Sequence, residues 1–190
     1  MRQALLNYIN KIHPIDSSIL EGFIGCWLHE KRKKKEVVTE ANKREDYLYF
    51  VTKGIQKAYY VNEGKAFNIA FSYPYNFTCT PESFLTQQPS QYYWECITDS
   101  EFLKIKYSTF FGYVEEYPEF QTLLYKKLIG TLNGIGNRYH RLLTQSMEER
   151  FISLMTNSPQ LINLIPQKEI ANYLKIDPTN FSKLINSIKI

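Results

Sequence analysis

The residues with the clearest capacity for recognition chemistry lie in the last stretch of the chain, QKEIANYLKIDPTNFSKLINSIKI (residues 167–190). Two segments with apolar residues at helical spacing flank a break at Asp177 and Pro178. The second segment leaves short hydrogen-bonding side chains and one cation on its other side, and such groups can meet base edges and phosphates. The candidate DNA-contacting residues of this helix pair are Gln167, Lys168, Pro178, Thr179, Asn180, Ser182, Lys183 and Asn186.

The same stretch meets the physical demands of a helix-turn-helix. Ala171 is a small residue where the second helix would cross the first, and Ile176 is an apolar residue that can close the turn. Asp177 is a suitable N-cap and Pro178 a suitable first helical residue. Lys175 stands where the turn often has a glycine with positive φ, at a cost of about 1 kcal/mol. The apolar inner face of the second helix is predicted to consist of Phe181, Leu184, Ile185 and Ile188.

The charge of this region is low for a DNA-binding domain. Residues 146–190 contain five Lys and Arg against four acids, residues 118–145 contain four against one, and residues 1–117 balance at fourteen each. We therefore expect few phosphate contacts and a weak dependence of binding on salt. A helix pair that only packs against its own domain remains the alternative.

A long helix is predicted from Pro118 to about Thr144, where apolar residues recur at three- and four-residue steps. This pattern is typical of helices that pair with one another. Gly130, Gly134 and Gly136 lie in the same helix, and their missing side chains would permit close approach of a partner. The alternative is packing within the chain. The predicted dimer seam is Leu124, Leu128, Leu132 (or Thr131), Ile135, Tyr139 and Leu142.

The middle of the chain is predicted to be a β-domain. Between about residues 36 and 106, short runs rich in Val, Ile, Tyr and Phe alternate with turn signals, as in an antiparallel sandwich or barrel. AYYVNEGKAFNIAF (residues 58–71) is the clearest hairpin, with Gly64 able to adopt positive φ. Helices are predicted on both sides of this region, at residues 3–28 and 107–117. The basic run at residues 31–35 is interpreted as a solvated edge that leads into the first strand, with a nucleic-acid patch as the alternative.

The composition excludes several classes of protein. Three widely spaced cysteines, none in a C-x-x-C pair, argue against a disulfide framework, a zinc site or an iron–sulfur cluster. No signal peptide or apolar run of membrane-spanning length is present, so we expect a cytoplasmic protein. The motifs of phosphate-binding loops, zinc proteases and serine hydrolases are also missing. The sequence thus predicts a non-enzyme with no cofactor and no metal.

The order of these segments resembles that of the Crp/Fnr family of transcription regulators. DYLYFVTKGIQKAYYVNEGK (residues 46–65) is similar to the family's first strands, and MEERFISLM (residues 147–155) to the segment before its DNA-binding helices. SFLTQQPSQYYWECITDSEFLKI (residues 83–105) and IPQKEIANYLKIDPTNFSKLI (residues 165–185) resemble the branch common among Bacteroidetes. The resemblance covers essentially the whole chain.

This resemblance implies an α+β fold with a double-stranded β-helix, or jelly roll. It also implies a sensor domain at residues 1–117, a dimerisation helix at 118–145 and a winged helix-turn-helix at 146–190. The chain length leaves room only for a small wing before Gln167, or for none. The implied partners are a second copy of the chain and a two-fold-symmetric DNA operator. Pro178 and Thr179 stand where family members often have Arg and Glu, so recognition is expected to depend more on DNA shape.

The resemblance also raises the question of a cyclic-nucleotide effector. A cyclic phosphate needs a paired cation, yet no Arg or Lys occurs between Lys65 and Lys104, although Glu82 can match the family's ribose-binding Glu. We therefore predict no tight binding of cyclic AMP or cyclic GMP. The pocket is expected either to be filled by aromatic side chains or to hold an unknown apolar effector. The candidate pocket residues are Phe71, Tyr73, Glu82, Ser83, Phe84 and Tyr93.

Three functions follow as hypotheses. The leading one is a homodimeric DNA-binding transcription regulator that does not respond to cyclic AMP. The second is a sensor or interaction protein that retains the fold without binding DNA. The third is a regulator gated by an unidentified non-nucleotide effector.

Overall fold

The amino-terminal segment forms two helices, α1 (Arg2–Ile12) and α2 (Ser17–Gly25), in the computed structural model, which describes residues 1–159 and 161–187. The chain leaves α1 at His13, because the residue before a proline disfavours the helical conformation. Asp16 begins α2 as its N-cap and accepts hydrogen bonds from Ser18 N (2.9 Å) and Ile19 N (3.3 Å). The N-cap predicted for this helix is confirmed.

The described residues form eight strands in two antiparallel sheets, as the alternation of β-rich runs and turns predicts. One sheet has the order β1-β8-β3-β6 and the other β2-β7-β4-β5. The result is the jelly roll that the family resemblance implies. The strands are β1 (Leu28–Arg32), β2 (Val37–Thr39), β3 (Tyr47–Lys53), β4 (Gln56–Asn62), β5 (Lys65–Ser72), β6 (Phe77–Thr78), β7 (Tyr93–Cys96) and β8 (Ser100–Lys106).

The β4–β5 hairpin has a tight turn and a bulge. Glu63 (φ 49°) and Gly64 (φ 73°) both adopt positive φ, which suits the two-residue turns that match strand twist. Farther along, the pairing passes from Tyr59↔Asn68 to Ala58↔Ala70, so Ile69 is an extra residue on β5. Such a bulge interrupts the ladder and bends the strand.

Aromatic side chains fill the space between the sheets. Tyr49, Trp94 and Phe102 are each at most 4% exposed. The ring of Tyr49 lies 4.9 Å from that of Trp94 and 5.6 Å from that of Phe102, measured between centroids. A second core lies outside the first sheet, where Phe23 and Phe120 (centroids 4.5 Å apart) join the amino-terminal helices to the start of the long helix.

Seven further helices accompany the strands in the part of the chain that the structure describes. The predicted long helix is α5, and a capping box of Ser146 and Glu149 begins the helix after it. Past Lys106, the residues that the structure describes contain no strand, so the implied wing is not seen there. A short helix, α7, occupies the stretch before Gln167. The seven helices are α3 (Pro81–Thr86), α4 (Tyr107–Glu116), α5 (Pro118–Thr144), α6 (Met147–Asn157), α7 (Leu161–Leu164), α8 (Gln167–Leu174) and α9 (Pro178–Ser187).

The basic run begins inside β1 instead of preceding the first strand, which corrects the expected boundary. Lys31 Nζ lies 3.5 Å from Glu101 and Lys33 Nζ lies 3.4 Å from Asp99, both on or beside β8. Several of these charges are therefore paired with acids across the sheet, and exposed pairs of this kind contribute little to stability.

The described residues contain neither a membrane-spanning helix nor a cluster of metal ligands. Within residues 1–159 and 161–187, no helix is both long and apolar enough to cross a bilayer. The same ranges contain no group of three or more His, Cys, Asp or Glu side chains placed to hold a metal ion.

Candidate nucleic-acid interface

One side of helix α9 packs in the core of the carboxyl-terminal helices, and the other side is exposed to solvent. Asp177 Oδ1 accepts hydrogen bonds from Thr179 N (2.9 Å) and Asn180 N (3.4 Å), so it caps the helix as predicted. Phe181 is 1% exposed and belongs to the core of the carboxyl-terminal helices. The polar side chains that flank it point away from this core.

Every candidate DNA-contacting residue lies on the surface. Gln167 and Lys168 are exposed in the first turn of α8, where free backbone N–H groups favour a phosphate. Lys183 is exposed, and within the described ranges its side chain makes no hydrogen bond or ion pair with another residue. The exposed positions on α9 are Pro178, Thr179, Asn180, Ser182, Lys183 and Asn186.

The turn between α8 and α9 has the expected construction. Ala171 (1% exposed) and Ile176 (4% exposed) are buried, and Ile176 N donates to Ala171 O at 3.0 Å. Lys175 has φ 56° and ψ 45°, the left-handed conformation that a glycine would take without strain. Its Nζ lies 3.9 Å from the centroid of the Phe67 ring on β5, a contact that offsets part of the cost.

Helix α8 docks on β5 through polar side chains that sequence reasoning did not identify. Asn172 Oδ1 accepts from Asn68 N (2.7 Å), and Asn172 Nδ2 donates to Ala66 O (2.8 Å). Asn68 Nδ2 donates to Glu169 O (3.0 Å) and to Glu169 Oε2 (2.8 Å). Lys57 Nζ pairs with Glu169 Oε2 at 3.1 Å. Because these residues lie about a hundred positions apart and have ordinary surface composition, the sequence contains no signal for the contact.

Burial and hydrogen bonding act in opposite directions on Glu169. Burial raises the pKa of this carboxyl, but the hydrogen bonds from Asn68 and Lys57 and the charge of Lys57 outweigh it, so the pKa lies below its ordinary value. Glu169 is therefore ionised at neutral pH and forms a partly buried ion pair.

Arg138 joins the long helix α5 to both β5 and α8. Its Nη1 donates to Ile69 O (2.6 Å), and its Nη2 donates to Asn68 O (3.1 Å) and to Tyr173 O (2.9 Å). The guanidinium also lies over the Tyr173 ring, with 4.1 Å between its central carbon and the ring centroid. Burial lowers the pKa of Arg138, although an arginine keeps its charge in proteins. The side chain thus holds α5, β5 and the end of α8 together.

The long helix exposes a row of large apolar side chains. Of the six predicted seam residues, Leu132 (68% exposed), Ile135 (62%) and Tyr139 (65%) lie on this row. Leu124, Leu128 and Leu142 are half-buried, and Leu124 packs in the amino-terminal core. The row also includes three residues outside the predicted seam, namely Tyr125, Ile129 and Leu143.

The structure does not bring the candidate effector residues into one pocket. Phe84 is buried in the helical core, and Phe71 and Tyr73 pack against the carboxyl-terminal helices. Tyr93 stacks on Tyr59 with 5.1 Å between ring centroids. Two cavities, of about 360 Å³ between β4–β5 and the helix-turn-helix and about 220 Å³ beside Arg138, are lined by none of the six residues.

The two polar candidate effector residues, Glu82 and Ser83, form hydrogen bonds within the protein. Glu82 Oε1 accepts from Ser90 Oγ at 2.9 Å. Ser83 Oγ accepts from Glu45 N (2.9 Å) and donates to Gln88 O (2.5 Å). The carboxylate that could have held a ribose hydroxyl therefore already has an internal donor.

A buried carboxyl group lies close to this segment. Glu45 is 3% exposed, accepts a hydrogen bond from Thr39 Oγ1 and accepts another from Tyr47 N (3.1 Å). Burial is the dominant influence and raises the pKa of Glu45 to about 7. Burial and the nearby charges of Glu45 and Glu82 also raise the pKa of the half-buried Cys79 thiol.

Comparisons with known proteins agree on the fold. Residues 29–117 match the family model described as the Cyclic nucleotide-binding domain. The structure is similar to that of FixK2 from Bradyrhizobium japonicum, with a TM-score of 0.75, 16% identity and coverage of 84% of this chain and 83% of that one. It is also similar to a protein described as a transcriptional regulator of the crp/fnr family from Eubacterium rectale, with a TM-score of 0.74, 12% identity and coverage of 95% and 86%.

A third neighbour is the c-di-GMP responsive global regulator CLP from Xanthomonas campestris, with a TM-score of 0.69, 14% identity and coverage of 90% of each chain. Among curated proteins, none matches the sequence. At these identities the likeness concerns the fold, which is that of Crp/Fnr-type regulators with a cyclic nucleotide-binding domain at residues 29–117. The fold that this resemblance implies is thus confirmed, and the Bacteroidetes-type branch stays a prediction.

Proposed function

We propose that this protein, which has the Crp/Fnr-type fold, is a homodimeric DNA-binding transcription regulator and not an enzyme. The observation that carries the proposal is the placement of α9. Its polar side, with Lys183 at the centre, is open to solvent, while Phe181 anchors its other side in the core. A helix held in this way can enter the major groove of DNA.

The apolar row on α5 supports the dimer. Tyr125, Leu132, Ile135, Tyr139 and Leu143 are each more than 60% exposed. Monomeric proteins rarely leave so long a row of apolar side chains in water. A Cβ added to Gly130, Gly134 or Gly136 would meet nothing within 4 Å in the chain itself, so these positions leave space for a partner helix. A second copy of α5 fits this surface and places two α9 helices on one operator.

We propose that the regulator does not respond to cyclic nucleotides, although part of the chain matches that domain family. Three observations support this. Aromatic rings fill the space between the sheets. Ser90 Oγ already donates a hydrogen bond to the carboxylate of Glu82. No Arg or Lys lies between Lys65 and Lys104 to pair with a phosphate. Mass spectrometry of the purified protein tests the related possibility of a retained non-nucleotide effector. We propose the cytoplasm as the site where the regulator acts.

The direct test is DNA selection with purified protein on fragmented genomic DNA at low salt, followed by a gel-shift assay on the enriched fragments. We expect an enriched two-fold-symmetric site and a shifted complex. Recovery of no sequence above background, with no shift at low salt, would refute DNA binding. That outcome would favour the second candidate, an interaction protein that retains the fold, for which the net charge of only +1 on residues 146–190 is the supporting observation.

A further inference from the structure

We propose that a set of partly buried polar contacts locks the helix-turn-helix in its DNA-reading position without any small-molecule effector. The interdomain lock consists of Asn68 on β5, Arg138 on α5, and Glu169 and Asn172 on α8. This proposal rests on the proposed function and adds its mode of regulation. The amount of protein, and not the concentration of a ligand, would then set the occupancy of the operator.

The lock begins at the bulge in β5. Because Ile69 has no partner on β4, the ladder is interrupted beside Asn68. The carbonyl oxygens of Asn68 and Ile69 accept from Arg138, and Asn68 N donates to Asn172. Backbone groups next to the bulge thus bond to two other elements. Since Asn68 is 1% exposed, a missing partner would leave its polar groups buried and unpaired.

The lock connects the proposed dimer helix to the first helix of the DNA-binding pair. Arg138 extends from α5 and donates to Tyr173 O at the end of α8. Arg150 on α6 donates through Nε to Leu174 O (2.9 Å) in the same last turn. Cations at the carboxyl end of a helix are favourable, because free carbonyl groups concentrate negative charge there. The position of α8 is therefore fixed relative to the axis about which two copies would pair.

The lock uses a side of the helix pair that DNA does not need. Asn172 and Tyr173 lie three and four positions after Glu169, and all three face β5 from one side of α8. The buried side of α8 contributes Ile170, Ala171 and Leu174 to the core. The exposed face of α9 takes no part in these contacts, so the docked arrangement leaves the reading surface accessible.

All these bonds run directly from one protein group to another. The distances, between 2.6 and 3.1 Å, are those of direct hydrogen bonds, so these bonds need no ligand between their partners. The cavity of about 360 Å³ that Asn68, Glu169 and Asn172 also line lies beside these bonds and does not interrupt them. In a regulator gated by an effector, the ligand must bind one arrangement better than another. Here the chain itself provides the interactions that define the docked arrangement.

The test uses full-length protein, dialysed and checked by mass spectrometry for retained ligand, and a duplex selected from random-sequence DNA with the wild-type protein. Asn172→Ala removes two hydrogen bonds and keeps a good helix former on α8. Arg138→Met removes the bonds of the guanidinium and keeps part of the apolar stem. Asn7→Ala is the matched control, because Asn7 is an exposed asparagine on α1 whose side chain, among the described residues, bonds only Gln3.

DNA affinity is measured by fluorescence anisotropy and interdomain docking by hydrogen exchange of β5 and α8. We expect ligand-free wild type to bind DNA, and each lock variant to lose about tenfold or more in affinity and to exchange faster in β5 and α8. Circular dichroism of the variants should stay native, and Asn7→Ala should match wild type. The lock is refuted if the variants bind DNA as tightly as wild type or more tightly, or if a small effector raises wild-type affinity many-fold.

The two proposals fail in different ways. If wild type binds no DNA but the lock variants still lose protection in β5 and α8, the DNA-binding function is wrong and the docking role of these residues stands. If wild type binds DNA and the lock variants change neither affinity nor exchange, the function stands and the lock is wrong.

Discussion

The ring of Phe181 on α9 meets the ring of Phe151 on α6 edge to face, with centroids 5.5 Å apart and planes at 86°. Both side chains are at most 1% exposed. This contact fixes the rotation of α9 about its own axis. Lys183 follows Phe181 by two residues, about 200° around a helix, and so points away from the core. Residues on that outer side can be changed without disturbing the packing.

Replacement of Lys183 by alanine is expected to weaken DNA binding several-fold while the fold survives. If Lys183 contacts a phosphate, the slope of log affinity against log salt should fall by about 1 for each subunit. Anisotropy titrations at several salt concentrations measure both effects. Lys43→Ala is the control, because Lys43 is an exposed lysine on the β-domain, and it should leave affinity and slope unchanged. An unchanged slope for Lys183→Ala would exclude a phosphate contact at this residue.

Leu132→Asp should convert the proposed dimer to a monomer. Leu132 is 68% exposed in the middle of the apolar row, and a buried carboxylate without a partner is costly at a helix interface. Light scattering after size exclusion gives the mass, and affinity for a two-fold-symmetric site should fall at least tenfold. Ile152→Asp on α6, 44% exposed and outside the row, should remain dimeric. A monomeric wild type, or a dimeric Leu132→Asp, would contradict the proposed seam.

The buried Glu45 should make stability depend on pH. Because burial raises its pKa from the ordinary 4.5 to about 7, the native state retains a proton that the unfolded state has already released between these values. This contribution to stability is therefore complete below about pH 4.5 and is lost as the pH rises to about 7. The loss amounts to at most about 3 kcal/mol.

Glu45→Gln should remove this loss, because the amide does not ionise. Thermal unfolding at pH 5 and pH 8 gives the difference in stability between wild type and variant. The stability of the variant relative to wild type should be higher at pH 8 than at pH 5. Glu40→Gln, an exposed neighbour, should follow the wild-type pH dependence. Parallel curves for wild type and Glu45→Gln would contradict the assignment.

Cyclic AMP and cyclic GMP should not bind tightly. The reasons are the missing cation between Lys65 and Lys104 and the internal bond from Ser90 to Glu82. Isothermal titration calorimetry is expected to give no saturable heat at micromolar concentrations of either nucleotide. A measured micromolar affinity would overturn this prediction and reopen the effector pocket.

Local signals in the sequence predicted much of the architecture. Caps such as Asp16 and Asp177, and the hairpin turn at Gly64, depend on bonds between near neighbours, so their positions can be read directly. The left-handed Lys175 follows from the geometry that any such turn requires. These features depend on the chain only over a few residues.

Features that depend on tertiary packing were harder to predict. The helical period selected Leu124 and Leu142 for the seam, yet the exposed row turns toward Tyr125 and Leu143, because the start of α5 buries one side in the amino-terminal core. Phe71 follows the alternation of a strand, and only the docking of α8 determines that it meets Tyr173, with ring centroids 4.9 Å apart. The contact of Asn68 with Asn172 has no local signal at all.

The three thiols have a practical consequence for labelling. Cys26 is exposed at the end of α2, Cys96 is buried, and burial raises the pKa values of Cys79 and Cys96. Only a thiolate reacts readily with a maleimide, so a dye added at neutral pH should attach to Cys26 alone. Each subunit then has one fluorophore on its amino-terminal helices, far along the chain from α9. Energy transfer between two labelled subunits would report their separation in solution without a single substitution in the protein.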